Sequence, residues 1–91
     1  MVIGWDEWKR RTNLKKHGFD FVDAEEVFTG VTFTYEDDRF SYGEQRLVTL
    51  GLLRGVVVSI VHTERGDRIQ IISMRKATKR EREIYFKTIS N

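Results

Sequence analysis

Residues 69–85 read IQIISMRKATKREREIY, and within this stretch a strand pattern gives way to a helix pattern. The first part is rich in isoleucine, which is typical of a buried strand. Thr78 and Glu81 have the spacing of a capping box, in which each side chain accepts a hydrogen bond from a backbone N–H at the start of a helix. We therefore expect a strand that ends near Met74 and a helix that begins near Thr78.

The junction between this strand and this helix is densely basic. Arg75 and Lys76 precede the cap, and Lys79, Arg80 and Arg82 lie in the first turn of the predicted helix. The helix macrodipole disfavours each cation there by roughly 0.3–1 kcal/mol, so helix solubility alone would favour acidic residues. The block is either a phosphate-binding surface, because guanidinium groups match phosphate oxygens in pairs, or an ordinary solvated cationic surface.

Three more strands are predicted upstream of this stretch. Residues 31–35 alternate between large apolar side chains and threonine, and residues 46–53 and 56–63 are rich in β-branched or aliphatic residues. A polar turn is expected over residues 36–43, and the other connections are short, which favours an antiparallel meander. Together with the strand of residues 68–74, the pattern predicts an antiparallel four-stranded sheet.

A helix is predicted near the N-terminus of the chain. Asp6 can cap its start, and it runs to about His17, with Gly18 as the residue that ends it. We expect Trp8 and Leu14 to point inward from this helix.

The remaining elements are shorter. Residues 2–5 are a candidate strand, and a second helix can begin at Asp20 or Asp23 and end before Gly30. The inward side of the C-terminal helix is predicted to consist of Ile84, Tyr85 and Ile89. These elements give an α+β fold, with N-terminal helices, then the sheet, then a C-terminal helix.

Composition limits the class of protein. The chain has 91 residues, of which 40% are hydrophobic, enough for one core, so we expect a single domain over residues 1–91. It has no cysteine, which removes disulfides, thiolate catalysis and the common zinc sites. No signal peptide is visible, and no apolar run approaches the roughly 20 residues of a membrane span, so no membrane contact and a cytoplasmic location are expected.

Charge is unevenly distributed along the chain. The formal net charge is only +2, but the segment from Lys9 to Lys16 is basic and contains no acid. Acidic residues dominate from Asp20 to Glu44, and basic residues dominate again from Arg54 to Lys87. If the fold brings the two basic zones together, the protein has one side that faces an anion.

His17 and His62 are the two imidazoles of the chain, and either could move a proton near neutral pH. The more common role for His17 is that of a cation at a helix C-terminus. Two histidines without cysteines or a cluster of carboxylates argue against a metal site, so no metal or other cofactor is expected.

Glu44 and Arg46 lie two positions apart and would share one face of a strand. They can be a cross-strand ion pair, or a carboxylate that positions an arginine beside a scissile phosphate. Both alternatives stay open at this point.

Several segments resemble the BrnT family of toxins, and the resemblance covers nearly the whole chain. In the N-terminal half these segments are residues 5–9 (WDEWK), 13–18 (NLKKHG) and 21–28 (FVDAEEVF). In the C-terminal half they are residues 44–46 (EQR), Gly51 and residues 68–78 (RIQIISMRKAT), with Glu81, Arg82 and Tyr85. Met74 departs from the alanine that is usual in the family, which should not disturb polar chemistry.

The resemblance implies the toxin of a type II toxin–antitoxin system, a ribonuclease that cleaves RNA and arrests growth. It also implies a RelE-like α+β fold and a cognate BrnA antitoxin with a ribbon-helix-helix DNA-binding domain. The complex would bind its own promoter through the antitoxin, and the basic face of the toxin would be the surface that the antitoxin covers. The alternative is a non-enzymatic nucleic-acid-binding regulator, although no helix-turn-helix or ribbon signature is present.

Cleavage of this kind needs no metal, because a base takes the 2′-hydroxyl proton and cations stabilise the charged transition state. The residues expected to grip the phosphate are Arg46, Arg65, Arg68 and Arg75. The candidate acid–base groups are His17, His62 and Glu64, and which of them is the base stays open. The residues expected to bind the RNA more generally are Lys15, Lys16, Lys76, Lys79, Arg80, Arg82 and Tyr85.

Overall fold

The computed structural model of the protein describes residues 1–38 and 43–90, so the predicted polar turn at residues 36–43 lies in part outside the described residues. The elements are β1 (Val2–Trp5), α1 (Glu7–His17), a 3₁₀ turn (Phe21–Asp23), α2 (Ala24–Phe28), β2 (Thr32–Glu36), β3 (Leu47–Leu53), β4 (Val56–Arg65), β5 (Arg68–Lys76) and α3 (Lys79–Ile89). Within the described part of the chain, no helix is long and apolar enough to cross a membrane.

The sheet has five strands in the order β1-β5-β4-β3-β2. Strands β2 to β5 form the expected antiparallel meander. β1 is parallel to β5, with Val2 opposite Arg68 and Trp5 opposite Ile71. The α+β class and the C-terminal helix are confirmed, whereas the four-stranded, all-antiparallel sheet of a RelE-like fold is not an exact description. Local sequence patterns predict that β1 is extended, but they do not reveal a partner strand at the other end of the chain.

The ends of α1 are as predicted, but its inward face is not. Asp6 accepts hydrogen bonds from the backbone N–H groups of Trp8 and Lys9, and Gly18 ends the helix with a φ of 77°. The prediction that Trp8 and Leu14 point inward is wrong, because they are 76% and 40% exposed. The buried residue of the helix is Asn13, whose carboxamide bonds to backbone groups rather than to apolar neighbours.

The larger core lies between the sheet and the helices α1 and α2. The register of β4 and β5 shifts between Val61 and His62, which leaves Ile72 as an extra residue on β5. This bulge lets Ile71 and Met74 face the same side, although their separation in sequence would place them on opposite sides of a regular strand. Residues buried in this core are Phe21, Ala24, Val27, Leu53, Val58, Ile60, Ile69, Ile71 and Met74.

The opposite face of the sheet is only partly covered. α3 begins at the predicted capping box of Thr78 and Glu81 and contacts β2, β3 and β4. Tyr85 is fully buried, as predicted, whereas Ile89 is 37% exposed and does not belong to the inward face. The second core consists of Val48, Leu50, Val57, Ala77 and Tyr85. α3 covers one end of this face, whereas the helices that the structure describes leave open the end formed by the β4–β5 hairpin.

Candidate functional site

The open end of the sheet carries a cleft of about 270 Å³. Thr63 and Arg65 reach it from β4, and Arg68 and Gln70 reach it from β5. In each strand the two residues are separated by one position, so the period of two places all four side chains on the same face. Glu44, from the segment before β3, completes the lining. The cleft therefore combines two guanidinium groups with a carboxylate, a carboxamide and a hydroxyl.

Arg65 and Arg68 lie directly opposite each other across the hairpin, and both are exposed. Like charges at directly opposed positions destabilise a pair of strands. Between the described residues, no carboxylate lies within ion-pair distance of either guanidinium. The Nη2 atom of Arg68 donates a long hydrogen bond of 3.4 Å to Oε1 of Gln70. Neither guanidinium is therefore in an ion pair with a described carboxylate, which suits the binding of an anionic ligand.

Several arginines elsewhere in the structure are paired with carboxylates. Arg10 bonds to Asp20 at 3.0 Å as well as to Glu7, and Arg54 bonds to Asp23 at 3.0 Å. In these places a carboxylate supplies the counter-charge. The two arginines of the cleft differ from these paired arginines, and because they line one cleft together they are candidates for ligand binding.

Arg46 lies immediately before β3, two positions from Val48 of the α3-side core. By alternation its side chain belongs to the same sheet face as Thr63, and it is half-buried. Its carbonyl accepts a hydrogen bond from the N–H of Asp37 at 2.8 Å. All four arginines expected to grip the phosphate therefore share one face of the sheet, and three of them lie toward its hairpin end.

The fourth of these arginines, Arg75, is placed differently. It lies near the far end of β5, where its two terminal nitrogens contact the carboxylate of Glu81 at 2.8 and 3.0 Å. It lines a second cleft together with the acidic residues Glu36, Asp37 and Asp38, which would repel a phosphate. The structure does not support Arg75 as a free phosphate-binding group, because its counter-charge comes from within the protein.

His62 and Glu64 lie on the other face of the sheet. His62 is 0% exposed, and its Nε2 lies 2.7 Å from the hydroxyl of Thr49. The ring meets Phe28 edge-on, and burial lowers the histidine pKa to about 4, so the imidazole is neutral at pH 7. Oε1 of Glu64 is 3.7 Å from Nδ1 of His62. The structure does not bring either predicted acid–base group together with the arginines of the cleft.

His17 lies at the end of α1, close to the junction of β5 and α3. Burial and the nearby charges of Lys16 and Arg75 lower its pKa below the usual value. The NLKKHG segment and the RKAT segment, distant in sequence, therefore meet in space. This junction is separate from the cleft, whose lining does not include His17.

The residues expected to bind RNA more generally are not equivalent. Lys15 and Lys16 are exposed at the end of α1, and Lys76, Lys79 and Arg80 are exposed around the start of α3. Arg82 is half-buried, with Nη1 3.4 Å from the carbonyl of Ala77. Tyr85 is buried and its hydroxyl donates to the carbonyl of Val31 at 2.7 Å. Its position does not support RNA binding, because its side chain belongs to the core.

Sequence reasoning did not identify Thr63 and Gln70. The alternation that groups Thr63 with Arg65, and Arg68 with Gln70, was a signal that could have found them. Among residues 1–38 and 43–90, no three histidine or acidic side chains are grouped in a way that could hold a metal ion.

Comparisons with known proteins agree with the resemblance seen in the sequence. Residues 5–81 match the family model described as the ribonuclease toxin, BrnT, of type II toxin–antitoxin systems. The crystal structure of the Brucella abortus ribonuclease toxin BrnT is 32% identical in sequence and superimposes with a TM-score of 0.64, covering 87% of this chain and 99% of that one. A comparison with curated protein sequences gives no match.

Both matches describe ribonucleases, which argues against the non-enzymatic regulator. The chain belongs to the BrnT family and is a ribonuclease toxin of a type II toxin–antitoxin system.

Proposed function

We propose that this toxin cleaves RNA in the cleft at the β4–β5 hairpin, without a metal ion. The observation that carries the proposal is the opposed pair Arg65 and Arg68, two exposed guanidiniums on one face without a carboxylate partner among the described residues. A phosphodiester supplies the missing negative charge, and guanidinium groups bind phosphate oxygens with two parallel hydrogen bonds. Arg46, on the same face, adds to the positive field.

The proposed reaction is an internal transesterification. A base takes the proton of the 2′-hydroxyl, and the 2′-oxygen forms a bond to the adjacent phosphorus. The bond from phosphorus to the 5′-oxygen of the next nucleotide breaks, and this oxygen takes up a proton. The products are a 2′,3′-cyclic phosphate and a 5′-hydroxyl end. Arg65 and Arg68 stabilise the charge that accumulates on the phosphate oxygens in the transition state.

Glu44 is the residue we propose as the base. It lines the cleft together with Arg65 and Arg68. Of the three candidates from the sequence, His62 and Glu64 lie on the opposite face, and His17 lies at the end of α1, outside the lining of the cleft. A carboxylate in the cleft can accept a proton that passes directly to it from the 2′-hydroxyl.

Exposed lysines extend the cationic surface beyond the cleft. We propose that Lys15 and Lys16 at the end of α1, and Lys76 and Lys79 near the start of α3, contact the RNA backbone on one side of the cleaved bond. Such contacts are independent of sequence and weaken with salt. The setting is the cytoplasm, where RNA is available.

The neutralising partner that we propose is a BrnA-type antitoxin with a ribbon-helix-helix domain. It would cover the cleft with an acidic segment and would bind promoter DNA through its own domain. Mixing the toxin with the antitoxin encoded beside it should give a stable complex on gel filtration and abolish cleavage. A complex that cleaves RNA at the rate of the free toxin would contradict the covering of the cleft.

The decisive experiment uses purified toxin and naked RNA in the presence of EDTA. The parent protein should cleave and leave cyclic phosphate ends, and Arg65→Ala and Arg68→Ala should each reduce single-turnover cleavage by roughly 10²-fold or more. Glu44→Gln should reduce it on a similar scale, because an amide does not accept the proton. Arg11→Ala, a change at an exposed arginine of α1 outside the cleft, is the matched control.

Thermal melts of the arginine variants should equal or exceed that of the parent, since both residues are exposed and each change removes the repulsion between opposed like charges. Parental cleavage by Arg65→Ala and Arg68→Ala would show that the cleft is not the active site. Loss of activity on chelation, restored by a divalent ion, would show that the reaction requires a metal.

A further inference from the structure

Gly4, in β1, lies beneath the guanidinium of Arg68. It is the partner of Gln70 in the parallel pairing of β1 with β5. A Cβ atom added at Gly4 would be 2.6 Å from Nη2 of Arg68, 3.2 Å from Cζ of Arg68 and 3.1 Å from Oε1 of Gln70. The side chain of Arg68 therefore crosses the bare backbone of β1, in space that any other residue at position 4 would fill.

Folding alone does not explain a glycine at this position. Glycine inside a strand lowers stability, because it adds entropy to the unfolded chain and contributes no side chain to packing. Gly4 is not among the residues with positive φ, so its backbone conformation is open to other amino acids. The three nearest atoms to an added Cβ belong to the mobile ends of Arg68 and Gln70 rather than to backbone or core.

We propose that Gly4 is a positioning residue for cleavage, and this inference rests on the proposed role of Arg68 in the active site. With its guanidinium seated over Gly4, Arg68 reaches Oε1 of Gln70 at 3.4 Å and stays on the β1 side of the cleft. Arg65 is its direct partner across the hairpin. This position over Gly4 keeps the guanidinium of Arg68 apart from that of Arg65, so that the two groups flank a phosphate.

The effect of Gly4→Ala follows from this geometry. The new methyl group displaces the guanidinium of Arg68, and a displacement of about 1 Å in a positioning group can reduce a rate by up to about 10²-fold. Stability should not fall, because replacing glycine by alanine at a compatible backbone position usually stabilises a protein. We expect roughly 10-fold slower single-turnover cleavage together with a melting temperature equal to or above that of the parent.

A double-mutant cycle tests the mechanism. Single-turnover cleavage and thermal melts are measured for the parent, Gly4→Ala, Arg68→Ala and the double variant. If Gly4 acts through Arg68, Gly4→Ala should have no further effect in the Arg68→Ala background. Gly30→Ala is the matched control, because a Cβ there would meet only backbone oxygens at 3.6 and 3.8 Å. It should cleave like the parent.

Three results would overturn the inference while leaving the proposed function intact. The first is cleavage by Gly4→Ala at the rate of the parent. The second is a double variant whose cleavage rate is reduced by the product of the two single reductions. The third is a fall in the melting temperature of Gly4→Ala that accompanies its loss of activity. Parental cleavage by Arg68→Ala is a different outcome, since it would remove the proposed role of Arg68 and this inference with it.

Discussion

Arg75 and Glu81 form a two-point ion pair across the connection between β5 and α3, with Nη1–Oε1 and Nη2–Oε2 distances of 2.8 and 3.0 Å. The same carboxylate accepts the backbone N–H of Thr78 at 2.8 Å as half of the capping box. Burial raises the pKa of Glu81, but the hydrogen bonds from Arg75 and Thr78 outweigh it, so that the pKa is lowered overall. Glu81 is therefore a counter-ion within the basic block at this junction, and the role of Arg75 in this pair is to stabilise the fold.

Replacing Arg75 should destabilise the fold. Arg75→Ala leaves a largely buried carboxylate without its cation, and we expect a loss of about 1–2 kcal/mol in the free energy of unfolding. Arg75→Lys should restore part of this, because an ammonium group cannot contact both oxygens in parallel. Urea unfolding measures the loss, with Arg80→Ala as a control expected within about 0.5 kcal/mol of the parent. An unchanged midpoint for Arg75→Ala would mean that the ion pair does not contribute to stability.

Replacing Asn13 should also destabilise the fold. Its Nδ2 donates to the carbonyl of Met74 at 2.7 Å, and its Oδ1 accepts the N–H of Met74 at 3.1 Å. Asn13→Ala leaves both backbone groups unpaired in the interior, which should cost about 2–3 kcal/mol of unfolding free energy. Asn13→Asp should also destabilise at neutral pH, because a carboxylate would face the carbonyls of Met74 and Phe19. If chemical denaturation gives Asn13→Ala the same free energy of unfolding as the parent, the prediction is wrong.

Stability should depend on pH through His62. Its pKa is about 4 in the folded protein, against an ordinary value of 6.5, because burial disfavours the charged ring. The unfolded chain binds the proton more tightly, so stability is complete above about pH 6.5 and falls as the pH decreases toward 4, by about 3 kcal/mol in all. His62→Gln should remove most of this dependence between about pH 7 and about pH 5, a range above the titration of the carboxylates.

The control for this pH dependence is His17→Gln. The pKa of His17 is also lowered, but the residue is only half-buried, so the variant should keep most of the dependence. Unfolding free energies are compared across the same buffers for all three proteins. Equal pH profiles for the parent and His62→Gln would show that His62 does not titrate in this range.

Gly51→Ala should have the opposite effect on stability from Gly4→Ala. A Cβ at position 51 would lie 2.6 Å from Cγ1 of Val27, which is 0% exposed, and 3.2 Å from Cγ2 of Thr32. Val27 is a core residue of α2, which packs against β3, and Thr32 is the opposite residue on β2. We expect a loss of about 1–3 kcal/mol, measured by thermal melts, which is typical of overpacking. A melting temperature equal to that of the parent would show that α2 can shift away from β3.

Local features of the fold could be read from the sequence. The caps at Asp6, Gly18 and Thr78 and the strands of the meander were all predicted. Each depends on residues within a few positions of one another, so that local hydrogen bonding and side-chain alternation determine it. The resemblance to the BrnT family was also visible in the sequence, and the family match over residues 5–81 confirms it.

The composition of the cleft depends on contacts between distant residues, and sequence patterns do not contain these. Alternation groups Thr63 with Arg65, but it does not reveal which sheet face α3 leaves open. It also does not distinguish Arg68, which lies over Gly4 of a distant strand, from Arg75, whose charge is balanced by Glu81.

The sequence by itself determined the elements, their caps and the family. The tertiary structure decided the pairing of β1 with β5, the burial of Asn13 and His62, and which arginines are free to bind an anion. The physical reason is that burial and counter-charge are properties of three-dimensional surroundings, and these are set by the packing of the whole chain.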